Sequence, residues 1–511
     1  MTEHYLIFKT KDGGNNLYDA FTNSIHPWSS HLKEDFVKKL YETTDEELED
    51  KLIWPEGFQK EQLLFYLRLW RVKTGAFRSS DLPPSLSFQE LSNVPIEKKG
   101  PVWKSDLVLI ASEKCNLRCA YCSYSSFYSG YRTHSNKLMS YNVAQKAIDW
   151  FYRYNDAAVF HGYPDRNLNI IFYGGESLIN FELVRRSIIH AEKSKRDHYG
   201  LVLSVSTNLT LLKEEHLAFF RDHNVYINVS LDGPPEEHDR YRHFDNGLPT
   251  FEKVLSNLRL IKNFDENYYF SRVRILPTIN GNSDVLSVYE YFEENKAELP
   301  PLLMVNLLKD LPFCEFHRVY PYDASLFNQK ISEVLNRYIK QKMQGKHFAK
   351  GTFLYHFIEE ALNNIYQRVQ SYGSAGPLWY TGTCLPGRKI AVSPDGKFHI
   401  CERINEHFPI GDINRGLDEE KIIEILNKYF KNLPSCHKCW ARNLCVICFA
   451  FVCDKEQFDF EHRCQSMREA LKSNLSLLFS ILEKRQDAFY SKDNIINRMP
   501  NLFKIETVQQ E

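Results

Sequence analysis

The amino-acid sequence predicts an α/β protein whose core is a partial, TIM-like (β/α)6 barrel, flanked by an N-terminal α+β unit and a cysteine-rich C-terminal segment. Three observations predict it. From Asp106 onward, short apolar, β-branched runs alternate with amphipathic helical stretches. Glycines and polar residues gather just after successive strand candidates, where parallel sheets place their sites. Of the 12 cysteines, three lie within residues 115–122 and eight between positions 384 and 464.

Composition narrows the class. The 511 residues suggest several domains, and 43% hydrophobic against 25% charged residues supports a packed core. The net charge of -1 gives no support to nucleic-acid or membrane-surface binding. No run approaches the ~18 apolar residues of a membrane span, and the start, MTEHYLIFKTKDGG, lacks the pattern of a secretory signal. A cytoplasmic location is expected, where disulfides are rare and cysteines serve first as metal ligands or reactive thiols.

In chain order, YLIFKT and LYDAFT around GGNN predict a small hairpin, followed by helices in HLKEDFVKKLY and QKEQLLFYLRLWRV and a linker over 79–100. Six β-α units follow. Their strands are DLVLIAS, NLNIIFYGG, LVLSVSTN, VYINVSLDG, SRVRILPTI and LLMVNLLK. The fourth helix places Phe251, Val254, Leu255, Leu258 and Ile261 on one face. Such units build a parallel sheet, curved or closed as a barrel. Residues 321–380 read as mainly helical, and a last helix is expected over about 465–483 before a polar tail.

Cys115, Cys119 and Cys122 stand in CNLRCAYC, directly after the first strand. Three thiolates on one loop hold three corners of a cubane and leave the fourth iron open to a substrate. Zinc would want four ligands in paired spacings, and no fourth lies nearby. This loop resembles the signature of the radical S-adenosylmethionine (SAM) enzymes, and residues 106–309 are similar to their barrel. YGGES, with Gly174, Gly175 and Glu176, resembles the motif whose backbone receives the methionine amino group; relatives often carry proline in place of Ser177. STNLT, with Ser206 and Asn208, resembles the segment at the ribose and methionine. SLDGPPEEHDRYR resembles the segment that supplies Ser230 and Arg242 to the cofactor. Tyr121 precedes the last cysteine of the loop and joins the candidate SAM contacts. The resemblance implies that SAM chelates the open iron and that one electron releases a 5′-deoxyadenosyl radical.

The second cysteine set is Cys384, Cys401, Cys436, Cys439, Cys445, Cys448, Cys453 and Cys464. On its own, C-x2-C-x5-C-x2-C from Cys436 to Cys448 fits a zinc ribbon. Eight cysteines exceed one zinc, and behind a radical SAM core the array resembles the SPASM domain with two auxiliary [4Fe–4S] clusters. That resemblance implies Cys436, Cys439, Cys445 and Cys464 for the distal cluster. It implies Cys384 and Cys401 with one later cysteine for the nearer one. The family's fourth position in the run falls on Phe449, so Cys448 or Cys453 serves, Cys448 being preferred. A further family position falls on Ile390, so the nearer cluster has room for an open iron that takes a substrate thiolate. Cys314 matches nothing and reads as a small buried apolar residue.

The stretch 396–414 resembles SPASM enzymes that modify ribosomally made peptides, and the N-terminal hundred residues resemble their winged-helix-like peptide-recognition domain, which takes a leader peptide as an added strand. The bland alternative for that domain is an extra packing layer. The implied division is 1–100 peptide recognition and linker, 101–320 radical SAM core, 321–380 helical bridge, 381–470 SPASM domain, and 471–511 helix and tail. The implied activity is a thioether bond from a peptide cysteine to carbon, as in sactipeptide and ranthipeptide maturases, with flavodoxin or ferredoxin as reductant. Glu402 stands where sulfatase-maturating relatives carry a catalytic base. Rival expectations are formylglycine formation in a sulfatase and a zinc-stabilised peptide-binding scaffold.

Overall fold

The computed structural model describes residues 4–20, 22–27, 34–43, 47–52, 60, 64, 67, 104–128, 133–160, 167–308, 314–368, 389–403, 406–430, 435–436, 439–454, 457–458 and 460–489. The expected second N-terminal helix (mostly), the linker over 79–100, Cys384 and the polar tail lie outside them. No described helix is long and apolar enough to cross a membrane.

The N-terminal unit is an antiparallel sheet of β1 (Tyr5–Lys9), β2 (Asn15–Asp19) and β3 (Ser24–Pro27), in that spatial order. Its first turn puts Gly13 at φ +91°, a region side chains avoid, and Thr10 Oγ1 accepts the Gly14 N–H at 2.9 Å. α1 (Glu34–Glu42) contributes Phe36, Val37 and Leu40 to a separate small core with Tyr5 and Leu17. The hairpin and α1 follow the sequence pattern; β3, four residues ending in proline, does not stand out in it.

The central sheet rests on the predicted strands β4 (Asp106–Ser112), β5 (Leu168–Gly174), β6 (Leu201–Thr207), β7 (Tyr226–Val229) and β8 (Val273–Ile275), all parallel and in sequence order. Between them run α2 (Tyr141–Phe160), α3 (Phe181–Ser194), α4 (Glu214–Asp222) and α5 (Phe251–Phe264), with α6 (Val285–Glu294) after β8. α5 buries Phe251, Val254, Leu258 and Ile261, while Leu255 is only partly covered. Asn257 lies on the same face because its Nδ2 donates to the Leu209 carbonyl at 2.7 Å, which satisfies a buried polar group. The sixth predicted strand is fragmentary. Leu302 makes one parallel bridge to Ile275, and only β10 (Asn306–Leu307) pairs, with β9 (Thr278–Ile279).

The C-terminal strands extend this same sheet. β11 (Lys389–Val392) pairs parallel with β4, Ile390 opposite Leu107. β12 (Lys397–His399), β13 (Pro409–Asp412) and β14 (Gly416–Leu417) follow antiparallel, giving nine strands from β14 to β8. Ile390 is thus a buried strand residue. The helical bridge is α7 (Ala324–Met343), N-capped by the Asp323 carboxylate on two backbone N–H groups, and α8 (Glu360–Tyr366). After α9 (Glu419–Phe430), α10 (Glu461–Lys484) packs on β1: Phe8 meets Phe479, and Ser476 Oγ donates to the Lys9 carbonyl at 2.7 Å.

Candidate active site

The cysteine loop leaves the end of β4 and is held from three sides. Arg118 N–H donates to His243 O at 2.8 Å and Ala120 N–H to Tyr241 O at 3.0 Å, pinning the loop to the chain beyond β7. Asn116 Nδ2 donates to Thr210 Oγ1 at 2.8 Å, and Asn208 Nδ2 to Asn116 Oδ1 at 3.0 Å, pinning it to the turn after β6. Against β5 the contact is backbone on backbone. Gly175 N–H donates to Ser112 O at 2.7 Å and Glu176 N–H to Lys114 O at 3.0 Å. A Cβ on Gly174 would stand 2.1 Å from Ser112 O, and one on Gly175 2.5 Å from Lys114 O, so this approach requires the two glycines.

Glu176 is buried and makes the next tie. Its carboxylate accepts from Leu178 N–H at 2.8 Å, Thr207 Oγ1 at 2.8 Å and Asn208 N–H at 2.7 Å. Burial raises its pKa, against the pull of those three donors. Its side chain binds β5 to β6 and does not line the cavity. Gly174, Gly175, Ser206, Asn208, Ser230, Tyr121 and Arg242 do line it, around Cys115, Cys119 and Cys122. That cavity measures about 310 Å³.

Two residues that line this cavity, His134 and Arg403, carry no sequence signal of their own. Behind the lining, Asp232 of the SLDGPPEEHDRYR segment follows β7. It accepts from Arg242 Nε at 2.7 Å, from Thr278 N–H at 2.9 Å and from the Tyr121 hydroxyl. His134, whose pKa burial lowers, and Arg403 both reach the cavity itself.

Glu402 is not among the lining residues. It is buried at 9% exposure and paired with Lys389, both carboxylate oxygens 3.4 Å from Nζ. Its neighbour Arg403 faces the cavity instead and feels Tyr173, Cys401 and Cys448. The Cys401 thiol is pushed up to about 12 by burial and by Glu402.

A second cavity, about 320 Å³, is lined by Cys436, Cys439, Cys445 and Cys464 with Arg442, Phe460 and Met467. Burial pushes the Cys445 thiol up to about 11, with Cys464 and Cys439 adding to the rise. Cys448 lies outside that set. Phe449, the position where the family spacing wants a ligand, is buried and stacks on Tyr429 at 5.3 Å. Cys453 begins β15 (Cys453–Asp454); its side chain lies outside the described residues. Cys314 is buried among Tyr121, Tyr128, Tyr241 and Phe316, as a small apolar residue would be.

Comparison with known proteins decides the core. Residues 109–280 match the radical SAM superfamily. The chain carries a radical SAM domain. A cysteine-type anaerobic sulfatase-maturating enzyme of Clostridium novyi (strain NT) is 28% identical over 193 residues, 37% of this chain and 48% of that protein. The namesake enzyme of Clostridium perfringens (strain 13 / Type A) is 25% identical over 374 residues, 71% of this chain and 94% of that protein. Among solved structures, native anSMEcpe with bound AdoMet and Cp18Cys peptide matches at TM-score 0.54 and 20% identity, covering 78% of this chain and 100% of that one, a likeness of fold.

A radical SAM domain works with a [4Fe–4S] cluster and SAM, and the residues of the first cavity fit that pair. Leu117 N–H and Asn208 Nδ2 point at Cys115 Sγ, at 3.4 and 3.8 Å, and Tyr124 N–H at Cys122 Sγ, at 3.4 Å. These donors suit thiolates, the form that iron binding imposes. Among the described residues no three His, Cys, Asp or Glu side chains close around a single ion. The thiols bound wider spaces, as an eight-atom cubane needs.

Proposed function

We propose that this protein modifies a ribosomally made, cysteine-containing precursor peptide, joining cysteine sulfur to carbon in thioether cross-links. One observation carries the reading: Arg403, two residues beyond Cys401, lines the radical SAM cavity itself. The pairing of β11 with β4 ties this cysteine-bearing segment to the sheet whose strand ends carry the cavity. A peptide thiol held near Cys401 would therefore lie beside the place where SAM is bound.

In this scheme Cys115, Cys119 and Cys122 hold the SAM cluster, and the bound pair supplies a 5′-deoxyadenosyl radical for hydrogen abstraction. The backbone of Gly174 and Gly175, with Ser206, Asn208, Ser230 and Arg242, holds SAM. Cys436, Cys439, Cys445 and Cys464 hold a distal auxiliary cluster, a reading supported by their shared cavity. Cys384 and Cys401, with Cys448 or Cys453, hold a nearer one. Leu276 and Leu308 give the first cavity an apolar side that would keep water from the reacting carbon. The domain division stated above is kept, with the protein in the cytosol and a flavodoxin or ferredoxin as electron source. The N-terminal sheet would take the leader peptide on β3, which no strand flanks on its outer side among the described residues.

Co-expression with a short cysteine-rich peptide encoded beside the gene tests this. The expected product has lost two hydrogens per cross-link and resists thiol alkylation. The second reading, formylglycine formation, is favoured by the name and coverage of the Clostridium perfringens relative. It predicts a free aldehyde and, from cysteine, loss of the sulfur. An unmodified peptide alongside both a neighbouring sulfatase and aldehyde product would replace the first reading with the second.

A further inference from the structure

The three thiols of the radical SAM loop do not receive equal donors. Among the described residues, Cys115 and Cys122 accept from neutral groups: backbone N–H, and for Cys115 also the Asn208 amide. Cys119 faces a charge. Arg242 Nη1 stands 3.7 Å from its sulfur, and the arginine is 8% exposed.

The fork of the arginine is divided by its partners. Nε and Nη2 donate to the two carboxylate oxygens of Asp232 at 2.7 and 3.5 Å. The Tyr121 ring lies under the guanidinium, 5.3 Å from ring centre to Cζ, while its hydroxyl donates to the same carboxylate. Asp232 is itself held by Thr278 N–H at 2.9 Å and, through its own N–H, by His238 Nδ1 at 3.3 Å. A planar guanidinium fixed on two of its nitrogens has no freedom in the third, so Nη1 is aimed at Cys119 before any cofactor arrives.

We propose that Arg242, aimed by Asp232 and Tyr121, donates a charge-assisted hydrogen bond to the Cys119 thiolate and thereby makes the radical SAM cluster easier to reduce. The proposal rests on the first cavity holding that cluster. Reduction adds one electron from the external reductant to an already anionic iron–thiolate unit. A fixed positive donor at one sulfur stabilises the more negative, reduced form, and hydrogen bonds to cluster sulfurs are one of the determinants of potential. The role is separate from any contact of Arg242 with SAM, because it operates with SAM absent.

The test is an EPR-monitored redox titration without SAM, on anaerobically reconstituted wild-type protein, Arg242→Met and Arg242→Lys. The radical SAM cluster is identified as the one whose signal a later addition of SAM shifts in the wild type, and whose signal Cys119→Ala removes. At a fixed potential, Arg242→Met is expected to lower the reduced-to-oxidised ratio of this cluster about tenfold, a shift of ~59 mV for one electron. Arg242→Lys, which keeps the charge and loses the fork, is expected to lower it about threefold. Titrations of all three that superimpose would overturn the proposal. So would loss of this cluster's iron from both variants, which would assign Arg242 to assembling the loop. A wild-type protein with no SAM-responsive cluster would instead remove the cofactor assignment on which the proposal rests.

Discussion

The two cysteine cavities are built on opposite plans. The first brings three thiols together on one loop and surrounds them with polar groups from the ends of β5, β6 and β7. The second brings together four thiols from two stretches of chain and surrounds them mainly with apolar and cationic side chains. Three ligands leave one corner of a cubane open and four close it. The first plan suits a cluster that meets a cofactor, the second a cluster that passes electrons or stiffens the chain. Position in the fold agrees: the first cavity sits at the C-terminal ends of parallel strands, where α/β folds place chemistry.

Four perturbations would break or sharpen this contrast. The largest effect is expected from Cys119→Ala, which removes one of the three ligands proposed for the open cluster. Reductive release of 5′-deoxyadenosine should fall at least about a thousandfold, measured by chromatography after dithionite reduction. Next is Glu176→Ala, which strands the Leu178 and Asn208 N–H groups and the Thr207 hydroxyl in a buried site. Stability against urea should drop by about 3 kcal/mol. An unchanged midpoint would mean the polar frame of the first cavity is not what holds it.

A smaller effect should come from acid. Burial lowers the His238 pKa from 6.5 to about 4, and its neutral ring accepts the Asp232 N–H. The unfolded chain takes up a proton below 6.5 that the folded chain refuses until about 4. Stability contributed by this group is therefore full near neutrality and declines as pH falls through that window, by roughly 2 kcal/mol at about pH 4.5. His238→Gln should flatten that part of the pH profile of urea midpoints. The smallest effect on SAM cleavage is expected from Cys439→Ala in the closed cavity. Iron should fall by about four atoms per chain, with 5′-deoxyadenosine release reduced less than about threefold. A collapse equal to that of Cys119→Ala would dissolve the distinction between the two cavities.

Much of this was legible in the chain because it is local. The runs of Val, Ile and Leu in β4, β5 and β6 announce themselves, and the cysteine spacing needs no tertiary information. The rest depends on partners far apart in sequence. Ile390 reads in the sequence only as a family ligand position without a cysteine; the pairing of its KIAV run with β4, nearly three hundred residues earlier, is tertiary information. LLMVNLLK has strand composition, but among its described residues only two pair in a ladder, and Leu303, Met304 and Leu307 are exposed. Asp232 looks like a turn residue beside a glycine; its meaning comes from Arg242, Tyr121 and Thr278. Glu402 has the sequence position of a base, but the fold gives it Lys389 as a partner and turns Arg403 to the cavity.

The central claim is that the three-thiol cavity alone meets SAM. EPR spectroscopy of the dithionite-reduced, anaerobically reconstituted protein, recorded with and without SAM, tests it most directly. One signal should move on addition of SAM and be absent from Cys119→Ala, while the remaining signals persist in both samples. A spectrum indifferent to SAM, or a SAM-responsive signal that survives in Cys119→Ala, would contradict the account.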